Sequence, residues 1–362
     1  MIAPLCIKLP RLAMNKRTFL KSVSLIGAGL LASNSVQAAN LSSQTTLSLK
    51  KPSALPRRGT IGVASPSAAT ANQKDIILAK QVIEALGYQA KLAPNIMARR
   101  GHLAGTDTQR ADDLNALFRD SSVDAIFCLR GGSGAARILP LLDYAMIRAN
   151  AKPLMGYSDI TALHNALLAK AGIVSFHGPN ASSSWNPFHV KQFKQMFEQQ
   201  TRMHYSNLPK AEDELVNSQY LTQTISPGKA TGQLIGGNLT VLTALAGSAY
   251  LPDFDGAILF LEDIDEAPYR IDRMLSTLKL MGALDKIAGF VFGDCNDCKP
   301  GRGYGSLTLD EIFADYIKPL GIPAYRGAMI GHIKRQFILP VGTQIELNAD
   351  AGTLTMKEAA FS

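Results

Sequence analysis

The sequence predicts an α/β protein: an N-terminal, largely parallel sheet flanked by helices, followed by a smaller C-terminal α/β domain. Three observations carry that prediction. Short apolar runs alternate with amphipathic helical stretches from residue 60 onward, the pattern of a parallel sheet covered on both faces. Glycine-rich or serine-bearing turns follow several of the apolar runs, at the strand ends where such sheets bind ligands. The chain has 362 residues, 46% of them hydrophobic, which is enough for two cores.

Each element follows from its local pattern. Thr60 to Ala64 reads as a buried strand ending at Ser65-Pro66-Ser67. Ile76, Ile77, Ala79, Val82, Ile83 and Leu86 recur at helical spacing, and Gly87 stops that helix. A short strand covers Gln89 to Ala93, a helix Thr106 to Phe118, and a strand Val123 to Leu129. That last strand breaks at Arg130-Gly-Gly-Ser-Gly134, and a helix starts at Ala135. Strands follow at Pro153 to Met155 and Ile173 to Phe176, completing a domain over residues 59–204. Residues 205–230 are polar and poorly periodic, and read as a linker. In the domain at 231–362, strands Ala257 to Leu261 and Ile287 to Phe292 alternate with helices near Arg270 to Met281 and Leu309 to Ile317. Gln344 to Met356, turning at Asp350-Ala-Gly352, reads as a hairpin.

The N-terminus reads as an address. Asn15-Lys-Arg-Thr-Phe-Leu-Lys21 is basic, Ser22 to Ala32 is an apolar core, and Val36-Gln-Ala38 is a small-residue exit, so residues 1–38 are expected to be an export signal cleaved after Ala38. The Lys16-Arg17 pattern resembles a twin-arginine signal with lysine in place of the first arginine, and Met14 is an alternative start. The apolar core is too short to span a bilayer, so no stable membrane insertion is expected after cleavage. An exported, periplasmic protein is the expectation, and a cytoplasmic one if the signal is not used. Residues 39–58 are then a leader arm. The signal holds five basic residues and no acid, so its removal lowers the net charge from +8 to +3. Basic residues in the remainder are interspersed with acids, which excludes the electrostatic footprint of a nucleic-acid binder. Cys295-Asn-Asp-Cys298 has redox or metal-ligand spacing and in an oxidising compartment could close a disulfide, but no second Cys pair or Cys/His cluster accompanies it and a thioredoxin-like context is lacking. Neither a metal nor a cofactor is expected.

The most informative stretch is Leu154-Met-Gly-Tyr-Ser-Asp-Ile160, an apolar segment running through a turn into a helix. That is the local design of a nucleophile elbow, which lifts a serine hydroxyl clear of the sheet. Ser158 and Asp159 are equally ordinary helix-cap residues. A catalytic serine needs a base, and the base an orienting acid. His102, His177 and His332 lie in loops able to approach the site, whereas His164 follows the elbow and His189 and His204 sit in polar, surface-like context. For the acid, the strand ending Leu259-Phe-Leu-Glu-Asp263 puts Glu262 at its tip. Ser133, in a near match to G-x-S-x-G, is the competing nucleophile.

The motifs Cys128-Leu-Arg-Gly-Gly-Ser-Gly134, Leu139-Pro-Leu-Leu-Asp143, Leu154-Met-Gly-Tyr-Ser-Asp-Ile160, His177-Gly-Pro179, Leu234-Ile-Gly-Gly-Asn-Leu239, Leu259-Phe-Leu-Glu-Asp263 and Gly331-His332 occur in one order. In that order they resemble the bacterial LD-carboxypeptidases, the muramoyl-tetrapeptide carboxypeptidases of serine peptidase family S66, related to the microcin C immunity hydrolases. The resemblance runs from about Gly59 to the C-terminal hairpin. It implies Ser158 as nucleophile, Glu262 as acid and His332 as base. Backbone N–H groups of Gly132 and Asp159 would form the oxyanion hole, and Arg130, Ser133, Trp185 and Asn238 are candidate substrate-binding residues. The family loop usually has tyrosine where this chain has Ser133. The implied substrate is a murein tetrapeptide or related peptide losing a terminal D-alanine, and a homodimer is an implied partner. Two other readings stand beside it: an amidase clearing a peptide–nucleotide antibiotic, and a non-catalytic periplasmic binder with a cleft between two α/β domains.

Overall fold

The computed structural model describes residues 47–209, 220–300 and 305–362, so the export signal read at 1–38 lies outside the described residues. The first half runs β1 (Thr60–Ala64), α1 (Gln73–Ala85), β2 (Gln89–Leu92), α2 (Asp107–Arg119), β3 (Ala125–Cys128), α3 (Ala135–Ile138), α4 (Tyr144–Ala149), β4 (Leu154–Gly156), α5 (Thr161–Ala171), β5 (Ser175–His177) and α6 (Pro187–Phe193). Then come β6 (His204–Tyr205), β7 (Gln223–Ser226), β8 (Lys229–Asn238), α7 (Leu239–Ala244), β9 (Ile258–Ile264), α8 (Pro268–Leu280), β10 (Gly289–Asn296), α9 (Leu309–Tyr316) and β11 (Ala324–Arg326). The chain closes with β12 (Leu339–Val341), β13 (Gln344–Asn348) and β14 (Thr353–Met356).

These strands form two sheets, the α/β architecture expected. The first has the order β12-β5-β4-β3-β1-β2, with β1 to β5 mutually parallel and β12 antiparallel at the edge. Its inner strands β1, β3 and β4 are apolar because both faces are covered, and Ile61, Val63, Ile126, Phe127, Met155 and the neighbouring Phe176 are all fully buried, whereas the edge strand β2 is largely exposed. Each such side chain contributes roughly 1.5–3 kcal/mol relative to exposure. Packing helices start at sequence-encoded caps. Thr106 and Gln109 form a reciprocal capping box that opens α2, with Oγ1 of Thr106 accepting from the Gln109 N–H at 3.1 Å.

The second sheet has the order β6-β14-β13-β8-β9-β10-β11-β7. Its centre, β8 to β11, is parallel, and its outer strands are antiparallel. β9 begins with the apolar run Ile258–Leu261 and continues through two carboxylates, Glu262 and Asp263, both buried.

Several features depart from the sequence reading. The stretch read as a linker carries β7, the start of β8 and half of β6, because edge strands need little apolar periodicity to pair. β8 is a ten-residue strand hidden by its glycines. β12, from the C-terminal half, returns to the first sheet and pairs Leu339 with His177. The arm at 47–58 is docked rather than loose. Lys50 donates its N–H to the Gly172 carbonyl at 2.7 Å, Leu55 is buried, and the Ser362 N–H reaches the Pro52 carbonyl at 3.0 Å. Cys295 and Cys298 are disulfide-bonded at the end of β10, and Cys128 is a buried free thiol.

Candidate active site

The elbow is built by three consecutive residues with different backbones. β4 ends at Gly156, and Tyr157 continues extended at φ −145° and ψ −174°. Ser158 then turns sharply into the left-handed region at φ +66°. For a residue with a Cβ that conformation costs about 1–2 kcal/mol. A single 3₁₀ turn over Ser158–Ile160 leads into α5. Opposite the serine, Gly131 has no room for a side chain: a Cβ there would stand 2.7 Å from the Ser158 Cβ and 3.0 Å from its Oγ.

The partners arrive from β9 of the second sheet and from the loop joining β11 to β12. Glu262 has no exposed surface and sits within β9, which runs on for two residues past the tip expected from sequence, and its Oε2 lies 2.8 Å from Nδ1 of His332. Nε2 of His332 lies 3.0 Å from Oγ of Ser158. A carboxylate at Nδ1 places the imidazole proton there, so His332 donates to Glu262 and accepts from the Ser158 hydroxyl. Gly331, at φ +117°, makes this approach possible, because a Cβ on it would fall 2.7 Å from Oε2 of Glu262.

Burial would lower the pKa of His332, but its hydrogen bond to Glu262 and the charges of Glu262 and Asp263 outweigh that and raise it above the ordinary imidazole value. The Tyr157 ring lies 4.9 Å from the His332 ring, and burial with the nearby Glu262 charge raises the Tyr157 phenol. Asp263 points away from the imidazole. It accepts from Nδ2 of Asn238 at 3.0 Å and from the N–H and hydroxyl of Thr240 at 2.9 and 2.8 Å, while burial pushes its carboxyl up to about 6.

The other histidines take separate places. His164 is buried beneath the elbow, 2.8 Å from both the Gly156 carbonyl and the Ser175 hydroxyl, and burial lowers it to about 4. His177 ends β5 fully buried, with no hydrogen-bond partner on either ring nitrogen. His102 and His204 lie on exposed segments. His189, read from sequence as surface-like, is instead buried: its Nε2 accepts the Gln336 N–H at 3.2 Å, and it lines the cleft beside Ser158.

That cleft has a volume of about 760 Å³. Arg130, Gly132, Tyr157, Ser158 and His332 line it, with Asn180, Ser182, Lys334 and Gln336 among the residues that sequence reasoning missed. Three candidate pocket residues sit elsewhere. Ser133 is exposed and outside the lining. Trp185 stacks on Phe127 at 6.0 Å and donates its indole N–H to the Asn180 carbonyl at 3.1 Å. Asn238 is buried as the N-cap of α7, accepting from the Val241 N–H at 3.1 Å. The carboxylate of Asp159 accepts from the Ser67 hydroxyl and, at 2.8 Å, from the Ala135 N–H.

A serine on a strained strand-to-helix turn, contacting an imidazole backed by a buried carboxylate beside a polar cleft, defines the class of serine-type hydrolases. Comparison with known proteins narrows the class. The LD-carboxypeptidase N-terminal domain matches residues 61–178 and the LD-carboxypeptidase C-terminal domain residues 231–347. The chain belongs to this family, peptidase family S66, and is a hydrolase of the peptidase class. It is 39% identical over 312 residues to a probable murein peptide carboxypeptidase of Bacillus subtilis, covering 85% of this chain and 94% of that one. It is 32% identical to the murein tetrapeptide carboxypeptidase of Pseudomonas aeruginosa over 297 residues, covering 79% and 92% of the two chains. Its fold is similar to that of MccF solved in complex with glutamyl sulfamoyl guanosine, with a TM-score of 0.77 at 26% identity, covering 86% of this chain and 99% of that one.

Proposed function

We propose that the protein is a serine LD-carboxypeptidase that releases the terminal D-alanine of L,D-linked murein tetrapeptides, as an exported enzyme of peptidoglycan turnover. The single observation that carries this reading is the pair of contacts made by His332, to Ser158 at 3.0 Å and to Glu262 at 2.8 Å. His332 takes the hydroxyl proton as Ser158 attacks the carbonyl carbon at the L-centre. Glu262 holds the tautomer and stabilises the imidazolium. The N–H groups of Gly132 and Asp159 receive the oxyanion; the second belongs to the first turn of a helix, where N–H groups have no partner within the helix. His332 then protonates the departing amine of D-alanine, and water attacks the acyl-enzyme to restore the free serine. Relatives named for murein peptides support the substrate class.

Ser158→Ala tests the mechanism. D-alanine released from purified tetrapeptide should fall by about 10⁶-fold, the loss typical of a removed nucleophile. Release at the parent rate would end the proposal. The second reading, cleavage of an aminoacyl nucleotide, draws on the similarity to MccF with its bound glutamyl sulfamoyl guanosine. Assaying that compound beside the tetrapeptide separates the two by kcat/KM. A purely binding protein has no use for a serine, imidazole and buried carboxylate in mutual contact. Export predicts that the secreted product begins at Ala39, which N-terminal sequencing reads directly.

A further inference from the structure

We infer that Arg110, on α2, is a positioning residue of the oxyanion loop and works with the side chain of Asp159 as a two-sided clamp. This inference rests on the reading of Gly132 N–H as an oxyanion donor.

The Arg110 guanidinium has no exposed surface. Its Nη1 donates to the Pro66 carbonyl at 2.6 Å and to the Gly134 carbonyl at 2.8 Å, and Nη2 donates to Asp107. From the opposite side, Oδ2 of Asp159 accepts from the Ser67 hydroxyl and from the Ala135 N–H at 2.8 Å. The two side chains therefore hold the same two segments. Arg110 takes the oxygen of the Gly134–Ala135 peptide group while Asp159 takes its nitrogen; at the other segment Arg110 takes the Pro66 carbonyl and Asp159 the side-chain hydroxyl of Ser67. A peptide plane held at both ends cannot rotate or slide.

This matters because of what lies on either side of the clamp. Gly132 is two residues before the gripped peptide, and Asp159 immediately follows Ser158. The clamp thus sets the distance between the loop donor and the nucleophile across a gap bridged by no covalent link shorter than 25 residues of chain. A buried cation is costly. Asp107 keeps Arg137 as a second partner, at 2.7 Å, so the surface ion pair survives without Arg110. The Gly134 carbonyl also accepts the Arg137 N–H at 3.2 Å; what Arg110 adds is one donor that ties that carbonyl to the Pro66 carbonyl.

The test uses Arg110→Met, Arg110→Lys and the milder Ser67→Ala, assayed on the full mature protein with purified tetrapeptide. A displacement of about 1 Å at a reacting centre costs on the order of 10²-fold in rate. Arg110→Met should therefore lower kcat about 10²-fold and leave KM within about twofold, and Ser67→Ala should lower kcat by about fivefold. Lysine, able to reach one carbonyl, should restore part of the loss. Labelling of Ser158 by a fluorophosphonate, whose phosphoryl oxygen occupies the oxyanion position, should slow by the same factor as kcat/KM. If Arg110→Met does not fold, Ser67→Ala and Arg110→Lys carry the test. The clamp is wrong if KM rises at constant kcat, if labelling is unaffected, or if activity falls only in proportion to the folded fraction. With Ser158→Ala measured in parallel, an inactive serine variant beside parent-like Arg110→Met and Ser67→Ala overturns the clamp alone. An active serine variant overturns the hydrolase reading and the clamp with it.

Discussion

Gly331→Ala offers a direct test of how closely Glu262 and His332 must approach. A methyl at this position would lie 2.7 Å from Oε2, 2.9 Å from Cβ and 3.3 Å from Cγ of Glu262. The first contact is about 0.7 Å inside ordinary van der Waals range. Glu262 is fully buried on a central strand, so relief of the clash must shift its carboxylate or the 331–332 backbone. Either movement stretches the 2.8 Å contact to Nδ1 of His332 beyond hydrogen-bonding range. The left-handed φ adds about 1–3 kcal/mol of backbone strain. Loss of the orienting acid typically costs about 10⁴ in kcat, and partial displacement at least 10². We expect kcat for D-alanine release to fall between 10²- and 10⁴-fold, with KM nearly unchanged. The melting temperature should drop by several degrees, read by calorimetry on the same sample. A variant that keeps kcat within twofold would refute the idea that this contact orients the base.

Three further outcomes follow from the same geometry. Because Glu262 raises the pKa of His332, the acid limb of kcat/KM should have its midpoint above the ordinary imidazole value of about 6.5, and Glu262→Gln should move that limb to lower pH while lowering the plateau; a limb that stays put would contradict the assignment. Replacing Cys295 and Cys298 together by serine opens a loop of very short sequence separation, so it should cost no more than about 2 kcal/mol in denaturant titration and leave kcat intact. Trp185→Ala removes the ring stacked on Phe127 and edge-on to Phe193, and should destabilise by about 3–5 kcal/mol in the same titration, with Trp185→Phe recovering most of it.

How much of this was readable beforehand depended on how local each signal is. Ser158 lies on a strand–turn–helix sequence that announces itself within seven residues, and Glu262 ends an apolar run with an unmistakable change of character. His332 had only a preceding glycine to mark it, and residue patterns alone left His102 and His177 as rivals; family resemblance, not periodicity, chose among them. The cleft was largely illegible because it is assembled from residues near 75, 130, 180–189 and 332–336, which only tertiary packing brings together. His189 shows the difficulty: a polar neighbourhood in sequence became a buried one once its Nε2 met the Gln336 N–H. β8 was missed because Gly232, Gly236 and Gly237 resemble turn signals, yet a Cβ on Gly236 would fall 1.9 Å from the Phe260 carbonyl oxygen of the adjacent strand. Close strand approach, not a turn, explains that glycine.

The serine and its imidazole are separated by 174 residues, the one following β4 and the other on the loop between β11 and β12. If His332 is the base proposed above, a chain still emerging from the ribosome displays the hydroxyl long before that imidazole exists, and a chain truncated ahead of residue 332 should release no D-alanine. On the same proposal, fragments cut in an exposed loop between the two should be silent apart, and turnover regained on mixing would report that the halves had found each other.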